Sequence, residues 1–192
     1  RGLGDVYKRQ VTNGSMESAI LPNGPSSNNV FDLNFSNSKL FMSHGGHSNY
    51  NVNNLNYQGV SVLENNSWKN YTSQFLGNSR DIVSVTTNGD YEYFASWYDG
   101  ISEISNDNLS NKFGYDNTNG ILDTTYYSNN RIQISDLKFD SYGNLWGLNS
   151  QVQKPLFVKT PQNEWYSYTL NLAIEGLYLS LIHISEPTRR YA

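Results

Sequence analysis

The chain contains no cysteine. That removes disulfides, thiol nucleophiles and thiolate metal sites together, and it leaves the redox compartment unmarked. Proline is scarce, with five residues, and no segment sustains an apolar rhythm of 3.6 residues, so a helical solenoid is excluded. No apolar run reaches the roughly 20 residues that a membrane-spanning helix needs. Basic residues are few, 13 against 17 acidic ones.

Residues 1–10 read RGLGDVYKRQ and can be encoded by CGT GGG CTC GGA GAT GTG TAT AAG AGA CAG. The reverse complement of a transposase-type adapter containing that string translates as LSLIHISEPT, the sequence that begins at Leu179. Residues 1–10 and 179–192 are therefore expected to be translated sequencing adapter, to be set aside as tags and fusion scars are. The remaining 11–178 is expected to be a fragment of one domain, with any signal peptide upstream of it. Without the ends, 8 Lys and Arg face 15 Asp and Glu, a net charge near −7. Eight scattered cations on an acidic surface do not make a nucleic-acid phosphate track.

What the chain does have is repetition. Between 132 and 168 four short alternating or apolar runs, at 132–139, 144–148, 156–159 and 165–168, are separated by turn-forming Asp/Gly and Pro/Asn clusters. Fifty-two residues before Ile134, Leu137 and Phe139 stand Ile82, Val85 and Thr87, and 52 earlier again Val30, Leu33 and Phe35. Phe41, Phe94 and Trp146 mark the next strand of each unit. Four strands per period of about 52 residues is the signature of propeller blades. The expected fold is all-β, a partial β-propeller of about three four-stranded antiparallel blades at 28–72, 80–115 and 132–169. A further blade is expected to begin at 172–178. Predicted strands of the first two blades are 30–35, 39–42, 59–63 and 68–71, then 82–86, 91–97, 100–104 and 111–115, with Asn88-Gly89 as a hairpin turn. Leu33, Val85 and Leu137 are expected to be buried. Trp68, Trp146 and Trp165 are expected in the core between blades.

Alternating strand direction sorts the connections onto two ends. One end has short turns throughout; the other collects the long polar loops 43–58 and 116–131. Function on a rigid scaffold concentrates on such loops. The candidate interaction face is His44, His47, Tyr50, Tyr57, Trp97, Tyr98, Tyr126 and Tyr127. Two imidazoles in His44-Gly-Gly-His47 would suit a metal, yet no third ligand follows at useful spacing, and the plainer reading is a glycine-rich loop with exposed histidines. Asp32 and Asp136 hold equivalent places on first strands with Ser84 between them. They either line a central channel or cap backbone groups between blades, and no nucleophile–base pair accompanies them. No catalytic residue, cofactor or metal is assigned.

The run from Ile134 to Trp146, ISDLKFDSYGNLW, resembles the repeat of two-component-regulator-type propellers. A narrower resemblance rests on GPSSNNVFDLNF at 24–35, LFMSHGG at 40–46, GVSV at 59–62, WKNY at 68–71 and FASWYDGI at 94–101. Together these resemble the N-terminal propeller of the PorZ family, cell-surface components of the type IX secretion system, over nearly all of 21–170. The resemblance implies a non-enzymatic protein on the extracellular face of the outer membrane, with no membrane insertion of its own. It implies protein partners in a surface sortase complex that attaches cargo to the cell surface, and a possible glycan contact. It carries over no catalytic residue. Two other readings stand beside it. One is an oligosaccharide-sensing ectodomain of a hybrid two-component receptor. The other is a polysaccharide lyase or glycosidase, which would need paired carboxylates or a His/Tyr/Arg cluster although Arg80 and Arg131 are the sole arginines of 11–178.

Overall fold

The computed structural model describes residues 11–12, 15–16, 23–48, 53–128 and 130–170. The adapter-like ends, the expected strand at 172–178 and Tyr50 lie outside the described residues. A small ladder pairs β1 (Val11–Thr12) with β2 (Ser15–Met16). Three four-stranded sheets follow. The first holds β3 (Asp32–Ser36), β4 (Lys39–Ser43), β5 (Val60–Glu64) and β6 (Ser67–Tyr71). The second holds β7 (Ile82–Thr87), β8 (Glu92–Ser96), β9 (Gly100–Ser105) and β10 (Asn108–Phe113). The third holds β11 (Ile134–Phe139), β12 (Leu145–Asn149), β13 (Leu156–Lys159) and β14 (Trp165–Tyr168). Each is an antiparallel meander in chain order.

Asparagine sets many of the turns. Asn37-Ser38, Asn65-Asn66 and Asn106-Asp107 each join two strands, and both residues of each pair have positive φ, between 48° and 61°. That is the type I′ pattern, whose twist matches that of the strands it joins, and Asn and Asp tolerate it best among residues with a Cβ. The expected Asn88-Gly89 hairpin is built differently. Only Gly89 has positive φ there, and Asn88 Oδ1 accepts the amides of Asp90 and Tyr91 at 3.2 and 2.9 Å. The turn between β11 and β12 explains the Asp-x-x-Gly-Asn-Leu-Trp spacing. Asp140 Oδ1 accepts the Tyr142 and Asn144 amides, both at 2.9 Å, and Oδ2 accepts Asn144 Nδ2 and Trp146 Nε1 at 2.8 and 2.9 Å. Gly143 supplies the left-handed residue, φ 81°.

Burial follows the repeat. Phe41, Val60, Val62 and Tyr71 of the first sheet pack with Ile82, Val85, Phe94 and Ile104 of the second. The opposite side of the second sheet, with Val83, Tyr93, Ala95, Ile101 and Phe113, packs with Leu137, Leu145 and Phe157 of the third. Val85 and Leu137 thus look back toward the preceding sheet. Leu33 holds the same position in β3 but is 58% exposed, contrary to expectation, and Phe35 is 75% exposed. The physical reason is that no sheet lies against that face among the described residues. The segment before β3 crosses it instead, with Ser26 N donating to Ser61 Oγ at 2.9 Å and Trp68 N donating to Asn23 Oδ1 at 2.9 Å. The linker between the first two sheets runs equivalently: Ser79 and Ser102 hydroxyls meet at 2.8 Å, and Ser102 donates to the Leu76 carbonyl.

The third sheet fills its back face another way. Where β8 and β9 pair Phe94 with Ser102, β12 and β13 pair Gly147 with Phe157. A Cβ on Gly147 would lie 2.2 Å from Phe157 Cζ, so the ring occupies the space the glycine vacates. Of the three tryptophans expected between blades, Trp165 is there, 5.0 Å from Phe113. Trp68 is half-buried on the back face of the first sheet, and Trp146 lies on the forward face of the third, 6.1 Å from Tyr168.

Two measurements check this account. Leu137→Ala should lower the unfolding free energy by about 2–5 kcal/mol and Leu33→Ala by less than about 1 kcal/mol, read from denaturant midpoints; equal losses would contradict the assignment of faces. The Asp140 carboxyl, held by the Trp146 and Asn144 side chains first, is lowered to about 2 from its ordinary 3.8. Its stabilising contribution is complete above the unfolded value and is lost as pH falls through the folded one. Asp140→Asn should therefore melt below wild type near neutral pH, with the gap closing between about pH 4 and pH 2.

Candidate functional site

Strand direction brings the described residues of the connections 44–59, 72–81, 97–99, 114–133 and 150–155 to one end of the sheets, and hydrogen bonds join them there. The loop after β4 is anchored by Asp81, at the entrance to β7. Its Oδ2 accepts the Leu55 amide and its Oδ1 the Asn56 amide, each at 2.8 Å. Asp81 N donates to the Asn56 carbonyl and Trp97 N to the Asp81 carbonyl. Burial pushes the Asp81 carboxyl above its ordinary range, and the amides at Asn56 and Leu55 pull against that shift. Gly45 N donates to the Ile82 carbonyl at 2.9 Å. A Cβ at Gly45 would come within 2.3 Å of the Asp81–Ile82 backbone, so glycine alone permits this approach.

The loop after β10 is tied on in the same manner. Ile132 N donates to the Tyr98 carbonyl and Gly100 N to the Ile132 carbonyl, while Tyr126 N reaches the Gln151 carbonyl at 3.1 Å. Arg80 bridges these loops. Its Nε and Nη2 donate to Asp99 at 2.9 and 2.6 Å, which is the first reason its guanidinium is held more basic than usual. The same guanidinium lies 3.6 Å from the Tyr98 ring centroid, and Arg131 lies 5.4 Å from it. Cation–π contacts of this kind hold a partly exposed ring firmly. Nearby, a cavity of about 450 Å³ is lined by Tyr115, Asp116, Asp123, Thr124, Asn130 and Ile132.

The candidate face divides accordingly. Tyr57, Tyr126 and Tyr127 are exposed, at 58, 70 and 85%. Tyr98 and His47 are half-buried. Two residues do not belong to an exposed face. Trp97 is buried beneath His47, whose ring stacks on it at 4.3 Å. His44 is fully buried, with Nδ1 2.7 Å from the Asn29 carbonyl and Nε2 2.7 Å from Ser61 Oγ. The expectation of two exposed histidines fails because each imidazole is used locally. No group of three or more His, Cys, Asp or Glu side chains among the described residues is placed to hold a metal ion. The sequence reading missed Asp81, the Arg80–Tyr98–Arg131 stack and the cavity. A faint signal for the stack existed: Arg80 and Arg131 each stand just before the first strand of a sheet.

No family model matches the chain, and no curated protein matches it. Solved structures do. PorZ, described as an essential bacterial surface component of the type-IX secretion system of Porphyromonas gingivalis, matches over 81% of this chain and 22% of its own, with 20% identity and a TM-score of 0.66. The fold is that of a partial, propeller-like array. At that identity the likeness concerns fold alone. The extracellular domain of a putative hybrid two-component system from B. thetaiotaomicron matches over 86% of this chain and 24% of its own, with 13% identity and a TM-score of 0.37, too low to carry an argument. The chain spans about a quarter or less of either protein. Among the described residues no helix is long and apolar enough to cross a membrane.

Asp81→Ala should free two loop amides. The Leu55 and Asn56 amides are expected to lose hydrogen-exchange protection while amides inside β8 keep theirs, and Asp81→Asn should retain part of it. Unchanged protection at both amides in Asp81→Ala would show that the loop is held by other contacts.

Proposed function

We propose that 11–178 is part of a non-enzymatic, PorZ-type propeller at the cell surface, one that supports type IX secretion and cargo attachment by recruiting protein partners. In this reading 1–10 and 179–192 are adapter-derived and contribute nothing. The observation that carries the proposal is the loop end itself. Loops from all three sheets are hydrogen-bonded into one surface there, and Tyr57, Tyr126 and Tyr127 project from it. Exposed tyrosines on a rigid support supply large contact area at small entropic cost, and they are common hot spots of protein and glycan recognition. The propeller-like fold shared with PorZ and the residue patterns at 24–35, 40–46 and 94–101 support the same reading. The partners are components of a surface sortase complex, with a glycan as a further contact, and the location is the extracellular face of the outer membrane.

Exchange of the whole loops would disturb Asp81 and His44, so the test uses the exposed tyrosines. Affinity capture from cells carrying the full gene should recover sortase-complex partners with wild type. Recovery should fall about tenfold or more with Tyr57, Tyr126 and Tyr127 changed together to serine, thermal stability being unchanged. Undiminished recovery would remove the loop face as the interface, and cleavage of a polysaccharide by the purified protein would overturn the scaffold reading.

A further inference from the structure

We propose that Asp32, Ser84 and Asp136 form a site for a hard divalent cation of the calcium class at the loop end of the three first strands. They stand 52 residues apart, one each on β3, β7 and β11. The ladder slips register between Ile82 and Ser84, and again between Ile134 and Asp136. Such bulges re-aim the side chain that follows them. The result is a direct link between sheets: Ser84 Oγ donates to Asp136 Oδ1 at 2.7 Å, and the Leu137 amide donates to the same oxygen at 2.8 Å.

The other carboxylate oxygen is the telling atom. Asp136 is 6% exposed, and its Oδ2 is buried with no hydrogen-bond partner among the described residues. An unmatched anionic oxygen in such a place is costly unless a positive charge meets it. No ion pair among the described residues supplies one: the salt bridges join Lys39 to Glu64 and Glu92, Lys69 to Asp107, and Arg80 to Asp99. Asp32 adds to the deficit. Burial first, and then the Asp136 charge, push the Asp32 carboxyl above its ordinary range, with the Leu33 amide and the Lys138 charge opposing. Lys138 itself is exposed.

Two carboxylates and a hydroxyl are an all-oxygen donor set, the chemistry that calcium and magnesium select over softer metals. In such a site Asp32, which is half-buried, would give the cation its route from solvent, while Ser84 orients the buried Asp136. Water completes the coordination. So few protein ligands place the affinity in the weak range of extracellular calcium modules, about 10⁻⁴–10⁻³ M. Bound there, the ion would cross-link the first and third sheets through the second. The site is independent of the proposed interface, which lies on the loops and uses none of these residues.

Calorimetric titration of the full 192-residue chain with calcium chloride, paired with thermal melts, tests the site. Wild type should show one saturable binding event. At about ten times the dissociation constant its folding equilibrium should improve about elevenfold, seen as a higher Tm. Asp136→Asn keeps an acceptor for Ser84 and Leu137 but removes the charge, and Asp32→Asn removes the other anion. Both should stay folded by circular dichroism and lose the calcium response. An equal response in wild type and both variants would mean adventitious surface binding and overturn the site. So would a wild-type Tm that ignores calcium but rises on acidification where Asp136→Asn does not, because a shared proton would then hold the gap.

Discussion

A four-stranded meander has two faces and cannot bury either by itself. That constraint governs everything built on these sheets. Val85 and Phe94 are buried because Phe41, Val60 and Val62 lie against them, and Leu137 and Leu145 because Ile101 and Phe113 do. Apolar area removed from water is worth about 25 cal/mol per Å², so cohesion resides between sheets more than within them. Loop positions are a by-product of this stacking. Adjacent sheets are close enough for Gly45 to bond Ile82 and for Asp81 to bond Leu55 and Asn56. The described parts of these loops are therefore anchored directly to the sheets beneath them.

Polar groups follow the same geometry. Arg80, Asp99 and Tyr98 form a compact charged and aromatic joint where three loops meet. Ser61 and Ser102, on corresponding third strands, each receive an inter-sheet segment by hydroxyl contact. These bonds are modest one by one, about 1 kcal/mol each. Their repetition fixes how each linker leaves one sheet and enters the next.

Much of the architecture was legible in the sequence because its signals are local. Strands β13 and β14 fall at the residues the alternation marks, and the 52-residue period locates all three first strands. The start of strand β10 is expected three residues late, since its turn, Asn106-Asp107, is hidden in a stretch from Ser105 to Asn111 that is polar apart from Leu109. Leu33 was misjudged because the repeat reports which way a side chain points, while burial depends on what lies opposite. The site was less legible. Tyr57, Tyr126 and Tyr127 could be placed on the loop end from topology alone. The burial of His44 depends on Asn29 and Ser61, and the Asp81 clamp on amides 25 and 26 residues away. Spacing contains no trace of such contacts.

The exchange of Phe94 and Ser102 for Gly147 and Phe157 bears on the history of the repeat. If units of this kind arise by duplication, they begin interchangeable. Once β12 has given up its side chain to accommodate Phe157, that freedom is gone. Recombining β8 into the third unit would set two phenyl rings in the space of one, and β12 in the second would leave glycine beside serine and a hole. A single compensated pair is enough to make each unit specific to its own place in the chain, so that later shuffling is selected against and the order of the repeats becomes heritable.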